Sequence, residues 1–145
     1  MIFKKTSYME NRARIEAWNN AITQCVKNVW HQYHGGLLEG VYQDVMSIEI
    51  ESLGMDAPTE IEIPMFHKGK KLKHLYRADM VVCDEVLVEF KAVKELLPEH
   101  RFQLYNYMRL TRMQFGMLIN FGLAQYTIER WVLDPETNQI LPYTK

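Results

Sequence analysis

Residues 76–96, YRADMVVCDEVLVEFKAVKEL, combine charged groups with an apolar run that is typical of a sheet core. Asp79, Glu89 and Lys91 stand among aliphatic residues, where a charged side chain is costly to bury unless it is paired or binds a metal. Side chains alternate across a strand, so Glu89 and Lys91 lie on the same face. The spacing therefore predicts an acid and a base side by side on one strand.

The position of Asp79 relative to this pair depends on the turn between two predicted strands. A three-residue turn over residues 83–85 pairs Val82 with Val86. Counting back from that pair places Asp79 directly opposite Glu89, whereas a two-residue turn would move it to the other face. We predict the three-residue turn.

Two carboxylates opposite each other in a sheet repel, so they need a compensating cation. Mg²⁺ fits, because it takes oxygen ligands, usually one or two carboxylates together with waters and substrate phosphates. A metal held by Asp79 and Glu89, with Mn²⁺ as the alternative to Mg²⁺, would polarise a phosphodiester oxygen and activate a water. Lys91 would orient that water or stabilise the developing negative charge, and would pair with Glu89 when no metal is bound. The structural alternative is an ion-pair network that also includes Arg77.

Two helices are predicted ahead of these strands. Residues 11–34 carry apolar side chains at three- and four-residue steps, and residues 37–54 repeat the pattern up to Gly54, a predicted C-cap. The two helices are expected to pack through these apolar faces. The face of the second helix consists of Leu38, Val41, Val45, Ile48 and Leu53.

The remaining elements complete an α/β pattern. Residues 59–93 predict three strands in an antiparallel meander, and residues 98–112 predict a third helix that starts at Pro98. Two closing strands follow over residues 115–122 and 126–134. The order predicts a single α/β domain over residues 1–145, with a mixed sheet that contains an antiparallel meander and is flanked by helices.

Composition bounds the class of protein. The chain has 145 residues, of which 48% are hydrophobic and 24% charged, which suits one domain with a buried core. The net charge of −1 argues against a protein that coats nucleic acid through bulk positive charge. Cys25 and Cys83 are too few and too far apart for a disulfide framework or a zinc site. No run approaches the roughly 20 apolar residues of a membrane helix, and residues 1–16 lack a signal peptide's apolar region, so we expect a cytoplasmic protein.

Two further pairs of polar residues share helix faces. Glu39 and Tyr42 are three residues apart in the second helix, so the acid and the phenol are expected to project together. Gln103 and Tyr107 are four residues apart in the third helix. Each pair alone is also typical of an ordinary half-buried helix surface.

Taken together, these segments resemble a known family. Residues 36–42, GLLEGVY, match the G-x-x-E-x-x-Y signature of the bacterial GxxExxY proteins, a branch of the PD-(D/E)XK nuclease superfamily. The similarity continues in order through residues 76–79, 88–93, 100–107 and 116–122. It covers roughly residues 15 to 130, and ordered blocks are more specific than any single motif.

The resemblance implies a nuclease-like core and a role for each matching residue. Asp79 and Glu89 correspond to the metal-binding carboxylates and Lys91 to the catalytic lysine. Glu39 corresponds to the acid that the preceding helix contributes. Gln103 and Tyr107 correspond to a Gln-x-x-x-Tyr element beside the active centre. The sequence departs from the family at Phe90, where a smaller aliphatic residue is commoner, but this side chain is expected to face away from the site.

The densest basic run is HKGKKLKH at residues 67–74, at a predicted hairpin tip around Gly69. Basic clusters are the usual electrostatic footprint of nucleic-acid binders, and the alternative is a solvated turn that resists aggregation. The predicted phosphate contacts are Lys68, Lys70, Lys71 and Lys73.

The sequence supports three functional hypotheses. The first is a magnesium-dependent nuclease that hydrolyses phosphodiester bonds in nucleic acid, with DNA favoured over RNA. The second is a non-catalytic module that binds nucleic acid or a partner on a nuclease fold. The third is a component of a larger assembly that supplies the missing binding surface. The sequence also allows the protein to act as a homodimer. Retention of the acidic residues together with Lys91 favours the enzyme.

Overall fold

The computed structural model describes residues 12–143, which form three helices and six strands. The predicted helix start at residue 11 and part of the amino-terminal segment used for the location prediction lie outside this range. The elements in chain order are α1 (Arg12–Tyr33), α2 (Glu39–Glu51), β1 (Thr59–His67), β2 (Lys70–Val82), β3 (Val86–Lys91), α3 (Pro98–Thr111), β4 (Phe115–Phe121), β5 (Tyr126–Leu133) and β6 (Ile140–Pro142).

The strands form one sheet in the order β1-β2-β3-β4-β5-β6. Neighbouring strands are antiparallel except β3 and β4, which run parallel and are connected through α3. The predicted mixed sheet with an antiparallel meander is confirmed. β6 was not predicted, because a strand of three residues is too short to show an alternating pattern. Among the described residues, no helix is long and apolar enough to cross a membrane.

Both faces of the sheet carry an apolar layer. Val86, Val88 and Phe90 of β3 pack with α1 and α2, whereas Leu87 packs on the opposite side with Leu104 of α3. This sorting follows from the alternation of side chains along a strand. The central strands β3 and β4 are therefore covered on both faces and read as continuous apolar runs, against which a buried carboxylate stands out.

The predicted packing face of α2 is wrong at four of its five residues. Leu38, Val41, Ile48 and Leu53 are exposed, whereas Val45 packs against the core as predicted and Tyr42, Met46 and Ile50 are buried. The Tyr42 ring stacks on Phe121 with 4.3 Å between centroids and an interplanar angle of 3°, and its hydroxyl donates to the His34 carbonyl oxygen at 2.6 Å. A buried aromatic ring with a satisfied hydroxyl thus determines which face of α2 turns inward. Gly54 is not the C-cap, because α2 ends at Glu51 with Ser52 in that position.

Two turns position the candidate residues, at the length predicted for the first and at the place predicted for the second. Residues 83–85 connect β2 to β3, and Val82 pairs with Val86 as the three-residue turn requires. Buried Glu85 in this turn forms an ion pair with Arg14 of α1, and this contact connects the turn to the helix. Lys68 and Gly69 form the tip between β1 and β2 with φ angles of 49° and 77°, the positive values that a tight two-residue hairpin needs.

Candidate active site

The carboxylates of Asp79 and Glu89 lie side by side where the β2–β3 ladder ends. Backbone pairing runs from Val82–Val86 to Met80–Val88 and stops one residue before this pair. Beyond it, the Asp79 amide N–H donates to Glu89 Oε1 at 2.9 Å, and the Phe90 amide N–H donates to Asp79 Oδ2 at 2.8 Å. Each carboxylate thus accepts a hydrogen bond from the opposite strand, in place of backbone pairing.

Burial strongly affects the protonation of this pair. Glu89 is 1% exposed, and burial raises its pKa well above the usual range, with the adjacent Asp79 charge raising it further. Burial also raises the pKa of Asp79, opposed by the hydrogen bond from the Phe90 N–H. Oε2 of Glu89 is buried without a hydrogen-bond partner among the described residues. A proton or a cation bound between the two carboxyl groups would relieve both the repulsion and the missing contact.

Lys91 belongs to a chain of hydrogen bonds that ends on α3. Its Nζ donates to Gln103 Oε1 at 3.0 Å, and Gln103 Nε2 donates to the Tyr107 hydroxyl oxygen at 3.1 Å. Burial raises the pKa of Tyr107, and the charges of Glu89 and Asp79 raise it further, so the phenol lies within the field of the carboxylates. The predicted pairing of Gln103 with Tyr107 on one helix face is therefore confirmed in geometry.

The structure contradicts two details of the predicted ion pairing. No ion pair of 4.0 Å or less connects Lys91 to Glu89, because the ammonium is engaged by the Gln103 amide. Arg77 does not join the cluster either, since it faces Glu62 on the surface at 4.0 Å. The buried carboxylates thus lack the arginine that a structural salt-bridge network would have supplied.

Glu39 reaches the same site from the first turn of α2. Burial raises the pKa of Glu39, the Lys91 charge lowers it and the Asp79 charge raises it, so the acid interacts electrostatically with both β2 and β3. Tyr42 does not project beside Glu39 as predicted but is fully buried. Its hydroxyl donates to the His34 carbonyl and accepts from the Leu37 amide N–H at 3.2 Å. These bonds fix the loop that sets where α2 and Glu39 begin.

Close backbone packing holds the other end of this loop. Gly35 lies against the turn between β4 and β5, where a Cβ atom would come within 2.8 Å of Leu123 Cα. Gly36, with φ of 103°, adopts a conformation that favours glycine. The glycines and the tyrosine of this segment thus serve to position one acid.

Glu60 was not predicted as a site residue. It sits in β1 with a positive φ of 54° and accepts a hydrogen bond from buried Gln43 at 2.9 Å. Its charge contributes to the raised pKa of Asp79, so it faces the same carboxylates. The segment TEIEIP reads as ordinary strand alternation, and the positive φ that turns Glu60 toward the site depends on tertiary packing.

The predicted phosphate-binding lysines are exposed near the end of the β1–β2 hairpin, away from the carboxylates. Lys71 and Asp79 are eight positions apart on β2, which at ~3.3 Å per residue is about 26 Å. The lysines and the carboxylates therefore form two separate clusters, near opposite ends of β2. The exposed lysines are Lys68, Lys70, Lys71 and Lys73.

Candidate metal ligands besides Asp79 and Glu89 are scarce in the described part of the chain. Among residues 12–143, no group of three or more His, Cys, Asp or Glu side chains is arranged to hold a metal ion. The two-carboxylate set fits Mg²⁺, which keeps several waters and takes substrate phosphate oxygens as further ligands. Both cysteines are free, and burial raises the pKa of Cys25 to about 11, so it is not a thiolate at neutral pH.

Comparison with known proteins decides the family. A profile of the PD-(D/E)XK nuclease superfamily matches residues 16–131, most of the chain. The chain belongs to this superfamily. The predicted PD-(D/E)XK nuclease-like fold is thereby confirmed. Nucleases of the superfamily generally use divalent metals.

Two other comparisons are less informative. No curated protein matches the chain. The crystal structure of a protein named SSO0001 is similar over 83% of this chain, with 20% sequence identity and a TM-score of 0.47. The match covers 61% of the length of SSO0001.

Proposed function

We propose that this protein is a Mg²⁺-dependent nuclease that hydrolyses phosphodiester bonds in DNA. The observation that carries the proposal is the buried Asp79–Glu89 pair, whose carboxylates replace backbone pairing and leave Glu89 Oε2 without a partner. A fold that only needed stability would gain from apolar residues at these positions. The pair is costly to keep without a cation, so a metal is the simplest reason for its presence.

Asp79 and Glu89 are the proposed metal ligands, with Mg²⁺ as the metal and Mn²⁺ as a substitute. The ion would act as a Lewis acid on a phosphate oxygen and lower the pKa of a bound water. Because the pKa values of both acids are raised, protons compete with the metal for the pair up to a higher pH than for ordinary carboxylates. Metal affinity is therefore expected to increase with pH.

The other side chains act on the substrate and on each other. One of the three Lys91 donors is used by Gln103, which leaves two to orient a water or to stabilise negative charge that develops on the phosphate. Gln103 holds the ammonium in place, and Tyr107 in turn fixes the Gln103 amide. Burial raises the pKa of Glu39, which favours proton uptake by this acid nearer to neutral pH.

The hairpin lysines provide the proposed DNA contacts outside the catalytic centre. The span of about 26 Å between Lys71 and Asp79 corresponds to about eight base pairs at 3.4 Å per pair. Lys68, Lys70 and Lys73 extend the same surface. Duplex that is bound at the hairpin would thus reach the carboxylates only if it extends beyond that length. Duplexes shorter than this should not contact the hairpin lysines and the carboxylates at the same time.

Assignment of the protein to the GxxExxY branch rests on the segment that positions Glu39. Gly36, Glu39 and Tyr42 each have a distinct physical task there, which supports membership of the GxxExxY branch. We also propose that the protein acts in the cytoplasm and that it works as a homodimer or within a larger assembly.

A second candidate is a partner-binding module on the nuclease fold. It is favoured by two exposed apolar side chains, Leu38 at the N-cap of α2 and Ile48 within α2, which are 78% and 70% exposed. In that case the carboxylates would be a remnant, and substitutions of Leu38 and Ile48 rather than of the pair would abolish function.

A cleavage assay tests the proposal directly. Wild-type protein and Asp79→Asn, Glu89→Gln and Lys91→Ala variants would be incubated with single- and double-stranded DNA and RNA in Mg²⁺ or Mn²⁺. Cleavage should fall by at least about 100-fold in each variant, because metal ligands and charge stabilisers contribute several kcal/mol to such reactions. Glu62→Gln is the matched control, since this carboxylate is 64% exposed on neighbouring β1. Cleavage that persists in all three variants would refute the proposal.

A further inference from the structure

A cavity of about 370 Å³ opens beside the Lys91–Gln103–Tyr107 chain, between β2 and α3. The cavity is adjacent to Lys91 because Gln103 and Tyr107 belong both to the cavity wall and to the hydrogen-bond chain that holds the lysine. The wall consists of Tyr76, Glu99, Phe102, Gln103, Asn106 and Tyr107. A group that enters the cavity therefore lies one side chain away from the proposed catalytic lysine.

Two of the walls are aromatic side chains that face solvent. Phe102 is 59% exposed and Tyr76 is 44% exposed, and neither belongs to the two buried core clusters. The Tyr76 ring lies 5.8 Å from the Tyr107 ring with an interplanar angle of 57°, so the two rings form adjacent faces of one cavity. Exposed aromatic faces beside a nucleic-acid site are where unpaired bases stack, because every base has a π-face.

The polar groups of the cavity favour a base over a phosphate. Glu99 would repel a phosphate, while its carboxylate accepts hydrogen bonds from the amino groups of bases. The amides of Gln103 and Asn106 carry both donors and acceptors, which suit a base edge. Basic side chains do not line this cavity, since Lys91 contacts it only through Gln103.

A second cavity of about 280 Å³ continues the surface along α3 and shares Tyr76 and Asn106 with the first. It is also lined by Arg109, a cation that can contact the backbone phosphate next to a bound base. The two cavities together offer a place for one base and for the chain that leads away from it.

We propose that the cavity between Tyr76 and Phe102 binds an unpaired nucleobase of the strand that is cut. The proposal deepens the proposed nuclease function and rests on it. A base within a duplex is paired and stacked, so occupying the cavity requires that it leave the stack. The protein therefore prefers single-stranded or frayed DNA to a blunt duplex.

Binding in EDTA tests this inference without cleavage. The probe is a single-stranded DNA oligonucleotide that contains 2-aminopurine, compared with the same strand in a blunt duplex. The full chain should quench the 2-aminopurine fluorescence and bind the single strand at least about tenfold more tightly than the duplex. Phe102→Ala and Phe102→Leu should each weaken binding about tenfold and remove the quenching, whereas Phe102→Tyr should retain both. Tyr33→Ala, at 41% exposure, is the control for loss of an exposed aromatic residue and should bind normally.

The outcomes separate this inference from the nuclease function. Equal affinity of Phe102→Ala and Phe102→Tyr, or equal binding of single strand and duplex, would overturn the base site. Cleavage in Mg²⁺ is measured in parallel on the same proteins. If wild-type protein quenches 2-aminopurine but never cuts, the base site stands and the nuclease function fails. If it cuts and Phe102 has no effect, the base site alone fails.

Discussion

Replacement of Glu89 by glutamine should stabilise the metal-free protein. Oε1 of the amide can still accept the Asp79 N–H at 2.9 Å, and the side chain remains next to the Asp79 carboxyl as a donor instead of a second acid. The substitution removes the acid whose ionisation beside Asp79 is costly, and it places an amide N–H group where Oε2 had no partner. Since an unsatisfied buried polar group costs about 1–3 kcal/mol, we expect the free energy of unfolding at pH 7 to rise by about that amount. For a domain of this size, the melting temperature would rise by about 3–9 °C.

The pH dependence gives this prediction a direction. The folded-state pKa of Glu89 is raised above its unfolded value, so its contribution to stability is present at low pH and is lost as the pH rises through the folded-state pKa. The advantage of Glu89→Gln over wild type should therefore be larger at pH 7 than at pH 5. Urea unfolding in EDTA at both pH values measures it, with Glu62→Gln as a surface control within about 0.5 kcal/mol of wild type. A variant that is less stable than wild type at pH 7 would refute this account of the pair.

Three further predictions concern the supporting elements. Tyr42→Phe loses the hydrogen bond to the His34 carbonyl and should lower the free energy of unfolding by about 1–2 kcal/mol in urea unfolding, while reducing cleavage through the position of Glu39. Gly35→Ala should destabilise by at least about 2 kcal/mol in the same measurement, because a Cβ would meet the backbone at Leu123; an unchanged midpoint would contradict that packing. Lys71→Ala should reduce the slope of log affinity for duplex DNA against log salt by about 1 in a titration series.

The register of the candidate site was predictable from the sequence. A turn of three residues was enough to set Asp79 opposite Glu89, because side-chain alternation then leaves one arrangement. The Gln103–Tyr107 pair was likewise accessible from its four-residue spacing, although its bond to Lys91 depends on how α3 crosses the sheet.

Other features depend on tertiary packing that local patterns do not encode. In α2 the count of aliphatic residues favoured Val41 and Ile48 as the inner face, but the ring of Tyr42 fits against Phe121 and turns the helix the other way. The positive φ of Glu60 has no signature in an alternating strand sequence. Propensity and periodicity identify elements, whereas contacts between elements decide which face is buried.

The most direct test of the account is a calorimetric titration of Mg²⁺ into the metal-free protein at pH 7, in two buffers with different ionisation enthalpies. The account predicts saturable binding with release of up to about one proton per ion, because the metal competes with protons for the Asp79–Glu89 pair, whose pKa values are raised. Asp79→Asn should lose the binding heat, and Glu62→Gln should retain it. Absence of binding at millimolar Mg²⁺ in wild-type protein, or unchanged binding by Asp79→Asn, would contradict the claim that these carboxylates hold the catalytic metal.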